Sequence, residues 1–142
     1  HFVFRYDPAN AHLAPVVTDV EEPNGLAFSP DLTRLYVADS SSVRKPEGVG
    51  NRCIRAYDLQ HGTRCKNGRV FADLAPADGF SDGIKVDEHG NVWSSSQAGV
   101  IVFDPTGAEI GRILGMPEAT ARSHVHRALA ALRERLTEED SR

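Results

Sequence analysis

Apolar and polar residues alternate in short runs along most of the first 110 positions, and turn residues separate the runs. Within residues 35–40, the adjacent Leu35, Tyr36 and Val37 form an apolar run that is typical of a nearly buried strand. Residues 29–31, Ser-Pro-Asp, precede it as a turn in which proline presets the backbone angle. Residues 87–91 form the corresponding turn before a second run at residues 92–96. Short strands spaced in this way predict small antiparallel sheets.

The runs belong to a sequence repeat. One copy consists of residues 24–28, 35–40 and 54–58, a second of residues 82–86, 92–96 and 100–105, and residues 2–8 match the end of an earlier copy. Each copy ends in an aromatic-Asp pair. The interval between these pairs is close to the length of one propeller blade, about 40–50 residues. The repeat predicts an all-β fold, a partial β-propeller of about two and a half blades.

Composition is that of a globular protein, with 40% apolar and 25% charged residues. The net charge of −4 argues against extensive nucleic-acid binding. No run approaches the roughly 18 apolar residues of a membrane span, and no signal peptide opens the chain, so we expect a cytoplasmic protein without a membrane partner. Cys53 and Cys65 are expected to be free thiols. Because the chain opens inside a blade and Met116 is its only methionine, we expect a piece of a longer protein.

Asn24 and Asp82 occupy equivalent positions in the two full copies, each before the first strand of its blade. Such positions face the central channel of a propeller, so their side-chain oxygens would converge. Carboxylate and amide oxygens are ligands of hard divalent cations, and a cation there could polarise a carbonyl group. The alternative is structural, because Asn-Gly and Asp-Gly are also common turn dipeptides.

Residues 22–31 with 35–40, residues 82–93 and residues 103–107 resemble the gluconolactonase, senescence marker protein and luciferin-regenerating enzyme family. The resemblance covers residues 1 to about 114. It implies a six-bladed propeller that hydrolyses a small sugar-type lactone around one divalent ion. Ca²⁺ is the leading candidate for that ion, and Zn²⁺, Mg²⁺ and Mn²⁺ are alternatives.

By this resemblance Asn24 is a metal ligand, and Asp82 is both a metal ligand and the general base. The chain departs from the family at Ser81, where proline is usual. The family's glutamate ligand lies in a first blade that the chain lacks, and Glu21 and Glu22 do not match it. We therefore expect the isolated chain to have little activity. A non-catalytic propeller that serves as a binding scaffold is the alternative.

The C-terminal part has a different pattern. Residues 118–136 have helical periodicity, and we predict an α-helical tail there, followed by a polar tail at residues 137–142. Residues 109–136 resemble the helix-turn-helix of bacterial extracytoplasmic-function sigma factors. By that resemblance Arg122, Ser123 and His126 would lie near DNA bases and Arg127 near a phosphate.

Two further interpretations of this part stay open. The helix could instead cover an exposed propeller edge, and residues 109–114 fit a propeller strand as well as a first helix. We divide the chain into blades at residues 1–108 and a helix-turn-helix-like segment at residues 109–136. A nucleic-acid partner is expected only if this segment is a DNA-binding, sigma-like fusion.

Overall fold

The computed structural model describes residues 1–114, which form three antiparallel sheets and two short 3-10 helices. The first sheet contains β1 (Val3–Asp7) and β2 (His12–Val17). The second contains β3 (Pro23–Phe28), β4 (Arg34–Asp39), β5 (Cys53–Gln60) and β6 (Arg64–Asp73). The third contains β7 (Ile84–Val86), β8 (Val92–Ser96), β9 (Gly99–Phe103) and β10 (Glu109–Leu114). The 3-10 helices are Ser41–Arg44 and Pro76–Asp78.

Strand β4 shows how the sheets stack. Its side chains alternate between two cores, as successive residues of a strand point to opposite faces. Leu35 and Val37 belong to the apolar cluster shared with the first sheet, which includes Val17. Tyr36 and Ala38 belong to the cluster shared with the third sheet. Strand β4 is therefore buried on both faces, which explains the nearly continuous apolar run at residues 35–38.

Within both four-stranded sheets, strands that follow one another in the chain also pair with one another. The two four-stranded sheets are blades of a β-propeller, and the two-stranded first sheet is part of the blade before them. The predicted all-β fold, with about two and a half blades, is confirmed. Strand β3 of one blade lies beside β7 of the next, and the Gly25 N–H donates a hydrogen bond to the Asp82 carbonyl at 2.8 Å.

Residues 109–114 form strand β10 and not the first helix of a helix-turn-helix. They pair with β9, and Ile113 lies opposite Val100. Arg112 also pairs with Asp78, which anchors the strand to the 3-10 helix Pro76–Asp78. Because β10 completes the third sheet, the helical interpretation of this stretch is wrong and the strand interpretation is right.

The predicted helix at residues 118–136 and the four predicted DNA-contacting residues, Arg122, Ser123, His126 and Arg127, lie outside the described residues. They stay predictions. Neither of the two short helices within residues 1–114 is long and apolar enough to cross a membrane.

Candidate functional site

The structure brings the backbone segments that carry the two predicted metal ligands next to each other. Asn24 is the second residue of β3 and is exposed, whereas Asp82 lies just before β7 and is half-buried. The hydrogen bond from Gly25 N to Asp82 O joins the two segments directly. Neither Gly25 nor Gly83 has a positive φ, and Asn24-Gly25 lies inside a strand. The turn-dipeptide alternative therefore does not describe Asn24-Gly25.

Gly25 permits this close approach. A Cβ atom at this position would lie against the Asp82 carbonyl and only 2.8 Å from the backbone nitrogen of Ile84. Real Cβ atoms essentially never come that near to backbone atoms. Glycine is therefore needed at position 25 because there is no space for a side chain. Its ability to adopt a positive φ plays no part here.

The backbone on both sides of Asp82 is held by three hydrogen bonds to two other segments, at Ser40 and at Ser95. The Ser81 carbonyl accepts a bond from the Ser40 hydroxyl at 2.6 Å, and the Asp82 N–H donates to Ser95 O at 3.1 Å. The Gly83 N–H donates to the Ser95 hydroxyl at 3.0 Å. The position from which the Asp82 side chain projects is thus fixed before any ligand binds.

Ser81, which stands where the family usually has proline, is fully buried. Its hydroxyl lies 2.8 Å from the hydroxyl of Ser94, which is also buried. A proline would restrict the backbone by its ring, whereas here a side-chain hydrogen bond restrains the same residue. The departure from the family pattern therefore leaves the segment before Asp82 anchored.

A buried carboxylate that the sequence analysis did not single out organises the other side of the site. Asp39, at the end of β4, accepts hydrogen bonds at 3.2 Å from the backbone N–H groups of Glu21 and Glu22, and one at 2.8 Å from the Asn51 amide. Burial alone would raise the pKa of Asp39. The hydrogen bonds, led by that from Asn51, outweigh burial and hold the pKa below its ordinary value of 3.8. Asp39 thereby fixes the loop that leads into Asn24.

A cleft of about 700 Å³ opens beside Asn24. Ser40 and Phe80 line it together with Glu22 and Arg44, which form an ion pair at 3.0 Å. Glu22, which does not match the family's glutamate ligand, thus has a cationic partner of its own.

The described residues contain two side chains with donor atoms of the kind that a metal ion takes. Asn24 and Asp82 offer an amide and a carboxylate oxygen, which suit a hard cation such as Ca²⁺ in kind. Across residues 1–114, His, Cys, Asp and Glu side chains form no group of three that could hold a metal ion. Ca²⁺ takes roughly six to eight oxygen ligands, so this part of the chain supplies only some of the donors.

A family model described as the SMP-30/Gluconolactonase/LRE-like region matches residues 2–125. The chain belongs to this family. The match includes residues 109–125, the first part of the segment that resembles a sigma-factor helix-turn-helix. The relatives named below give no support to that second resemblance.

Curated relatives share the sequence at moderate identity. A gluconolactonase of Zymomonas mobilis is 35% identical over 117 residues, which are 81% of this chain and 32% of that protein. An L-arabinolactonase of Azospirillum brasilense is 34% identical over 69% of this chain and 31% of that protein. The chain thus spans about a third of the length of these relatives.

Solved structures agree with the fold. The gluconolactonase XC5397 of Xanthomonas campestris has a TM-score of 0.68 and 39% identity, covering 82% of this chain and 36% of that one. Regucalcin of Agrobacterium tumefaciens, described as a calcium-binding protein, has a TM-score of 0.64 at 23% identity and covers 78% and 35% of the two chains. Identity at that level bears on the fold alone.

Proposed function

We propose that residues 1–114 are part of a divalent-metal-dependent hydrolase of a sugar-type lactone. The observation that supports the proposal is the hydrogen bond from Gly25 N to Asp82 O, which joins the backbone next to Asn24 to the backbone of Asp82. Membership of the family and the lactonase names of the relatives support the reaction class. Because the chain spans about a third of those relatives, we assign the activity to the complete gene product.

In this proposal Asp82 is the general base. Its carboxylate takes a proton from the water that adds to the lactone carbonyl carbon. The ring C–O bond then breaks, the ring oxygen takes up a proton, and a hydroxy acid leaves. The hydrogen bonds around residues 81–83 hold the carboxylate in position, so little reorganisation accompanies the proton transfer.

Asn24 and Asp82 would hold the divalent ion, and Ca²⁺ is the ion we propose. When bound, it supplies positive charge that polarises the carbonyl group and stabilises the developing oxyanion. The remaining ligands would include water and groups outside residues 1–114. We therefore expect the 142-residue chain alone to bind the ion weakly and to turn over little lactone.

Asp82→Asn in the complete gene product tests the proposal. An amide cannot take a proton from water, so we expect the rate of gluconolactone hydrolysis to fall by about 10²–10⁴-fold while the fold is kept. Asp104→Asn is the matched control. The Asp104 carboxylate accepts hydrogen bonds from the backbone N–H groups of Thr106 and Ala108 within a turn. The Asp104→Asn variant should therefore retain full activity.

The measurement is turnover at neutral pH together with the circular dichroism spectrum of each variant. Unchanged turnover in Asp82→Asn would reject Asp82 as the base. A complete gene product that hydrolyses no lactone and binds no divalent ion would instead favour the non-catalytic scaffold.

A further inference from the structure

We infer that Ser40 is a positioning residue of the proposed site: its hydroxyl orients the Asn24 amide and holds the peptide that carries Asp82. The inference rests on the proposed function and deepens it. Ser40 follows the last residue of β4 and lines the cleft beside Asn24.

Ser40 touches both halves of the site. Its hydroxyl donates a hydrogen bond of 2.6 Å to the carbonyl of Ser81, the residue before Asp82. The same hydroxyl accepts a longer bond, 3.4 Å, from the side-chain amide of Asn24. The Ser40 backbone N–H donates to Glu22 O at 3.0 Å, which fixes Ser40 itself. One side chain therefore links the strand of Asn24 to the peptide of Asp82 across two blades.

The direction of these bonds determines which way the Asn24 amide faces. A hydroxyl has one proton to donate, and the Ser40 proton is committed to the Ser81 carbonyl. Toward Asn24 the hydroxyl can only accept, so the NH₂ end of the amide must face Ser40. The carbonyl end of Asn24, the end that can bind a cation, then points away from Ser40.

Removal of the hydroxyl would undo both effects. In Ser40→Ala the amide of Asn24 loses the partner that distinguishes its two ends, and an inverted amide would present its NH₂ group to a cation. The buried Ser81 carbonyl also loses a partner, since Ser40 is 3% exposed and Ser81 fully buried. Residues that orient metal ligands typically change metal affinity by about 10–100-fold when they are replaced.

The test measures Ca²⁺ binding by isothermal titration calorimetry in the complete gene product. The variants are Ser40→Ala and Ser40→Cys, whose thiol is a weaker donor and acceptor in a similar volume. The matched control is Ser96→Ala. Ser96 is a buried serine whose hydroxyl donates to Gly99 O at 3.1 Å and makes no hydrogen bond to Asn24 or Ser81. Asn24→Ala and Asp82→Asn are the reference variants for the metal site itself.

We expect Ser40→Ala to bind Ca²⁺ about 10–100-fold more weakly, Ser40→Cys to show a smaller loss, and Ser96→Ala to match the wild type. Lactone turnover by Ser40→Ala should recover as Ca²⁺ is raised, because the ligands themselves are intact. Because bound Ca²⁺ also offsets a general loss of stability, denaturation of each variant without Ca²⁺ separates the two effects. If Ser40→Ala does not fold, Ser40→Cys decides the question by the same affinity measurement.

Two results would overturn the inference, and they are distinguishable. Ca²⁺ affinity that falls in Asn24→Ala and Asp82→Asn but not in the Ser40 variants rejects Ser40 and leaves the proposed function standing. Ca²⁺ affinity that is unchanged in Asn24→Ala and Asp82→Asn, or absent in the wild type, rejects the proposed metal site and the role of Ser40 with it.

Discussion

At the scale of single residues, Gly25 sets the distance between the two halves of the site. The inner strands β3 and β7 approach so closely that the space beside the Gly25 Cα is occupied by backbone atoms of residues 82–84. Backbone atoms cannot turn aside as the end of a long side chain can. Any side chain at position 25 must therefore push the two strands apart, and Asn24 would move with β3.

We predict that Gly25→Ala lowers the free energy of unfolding by about 1–3 kcal/mol, the usual cost of an overpacked interior. Gly111→Ala is the matched control, because a Cβ at Gly111, in outer strand β10, meets nothing within 4 Å. Urea denaturation followed by circular dichroism measures both. Equal stability of the two variants would show that β3 and β7 tolerate a wider spacing.

At the scale of elements, Asp39 joins the loop before β3, the end of β4 and the segment around Asn51. Its Oδ1 accepts from the backbone N–H groups of Glu22 and Ser41, and its Oδ2 from Glu21 N and the Asn51 amide. An asparagine at this position would turn an NH₂ group toward one pair of donors. The loop into Asn24 would then lose part of its anchorage.

We predict that Asp39→Asn lowers the free energy of unfolding at pH 7 by about 1.5–3 kcal/mol, as expected for loss of buried bonds to a charged group. The pKa of Asp39 is lowered in the folded state, so its contribution is present above the unfolded pKa of about 3.9. That contribution is lost as the pH falls through the folded pKa. The difference between wild type and variant should accordingly shrink from pH 5 toward pH 2.

Denaturation curves at several pH values measure that difference. The control is Asp58→Asn, since the Asp58 carboxylate is exposed and accepts from Asn67 and Arg69 at 2.8 and 2.9 Å. An exposed pair of this kind contributes little to stability because solvent and salt screen it. A difference between wild type and Asp39→Asn that does not change with pH would contradict the assignment of a stabilising carboxylate to Asp39.

The elements also show what alternation along the sequence can predict. It locates the inner three strands of both full blades, because these strands are covered by neighbouring sheets. It does not locate β6 (Arg64–Asp73), most of which is exposed and therefore carries no period of two. The bonds of Ser40 and Asp39 join residues up to 41 positions apart. Two signals in the sequence pointed to the site: the repeat, which aligns Asn24 with Asp82, and the resemblance to the family.

At the scale of the molecule, the three sheets bury two apolar clusters but leave one face of the first sheet exposed. Tyr6 and Leu13 are cross-strand partners on that face and are 58% and 60% exposed. Phe4 lies on the same side of β1 and is also exposed. Among residues 1–114, β1 pairs only with β2, so its other edge has no strand beside it. Exposed apolar side chains next to an open strand edge favour association between chains.

We therefore predict that the 142-residue chain on its own self-associates through this face. The double variant Tyr6→Lys, Leu13→Lys should shift the chain toward the monomer, because two cations there would have to be desolvated and would repel their counterparts in a second copy. Leu32→Lys is the control, since Leu32 is a 63% exposed apolar residue at the turn before β4, away from that face. Sedimentation velocity over a range of concentrations distinguishes the variants. A wild-type chain that stays monomeric, or a Leu32→Lys variant that dissociates equally, would refute the role of the Tyr6 and Leu13 face.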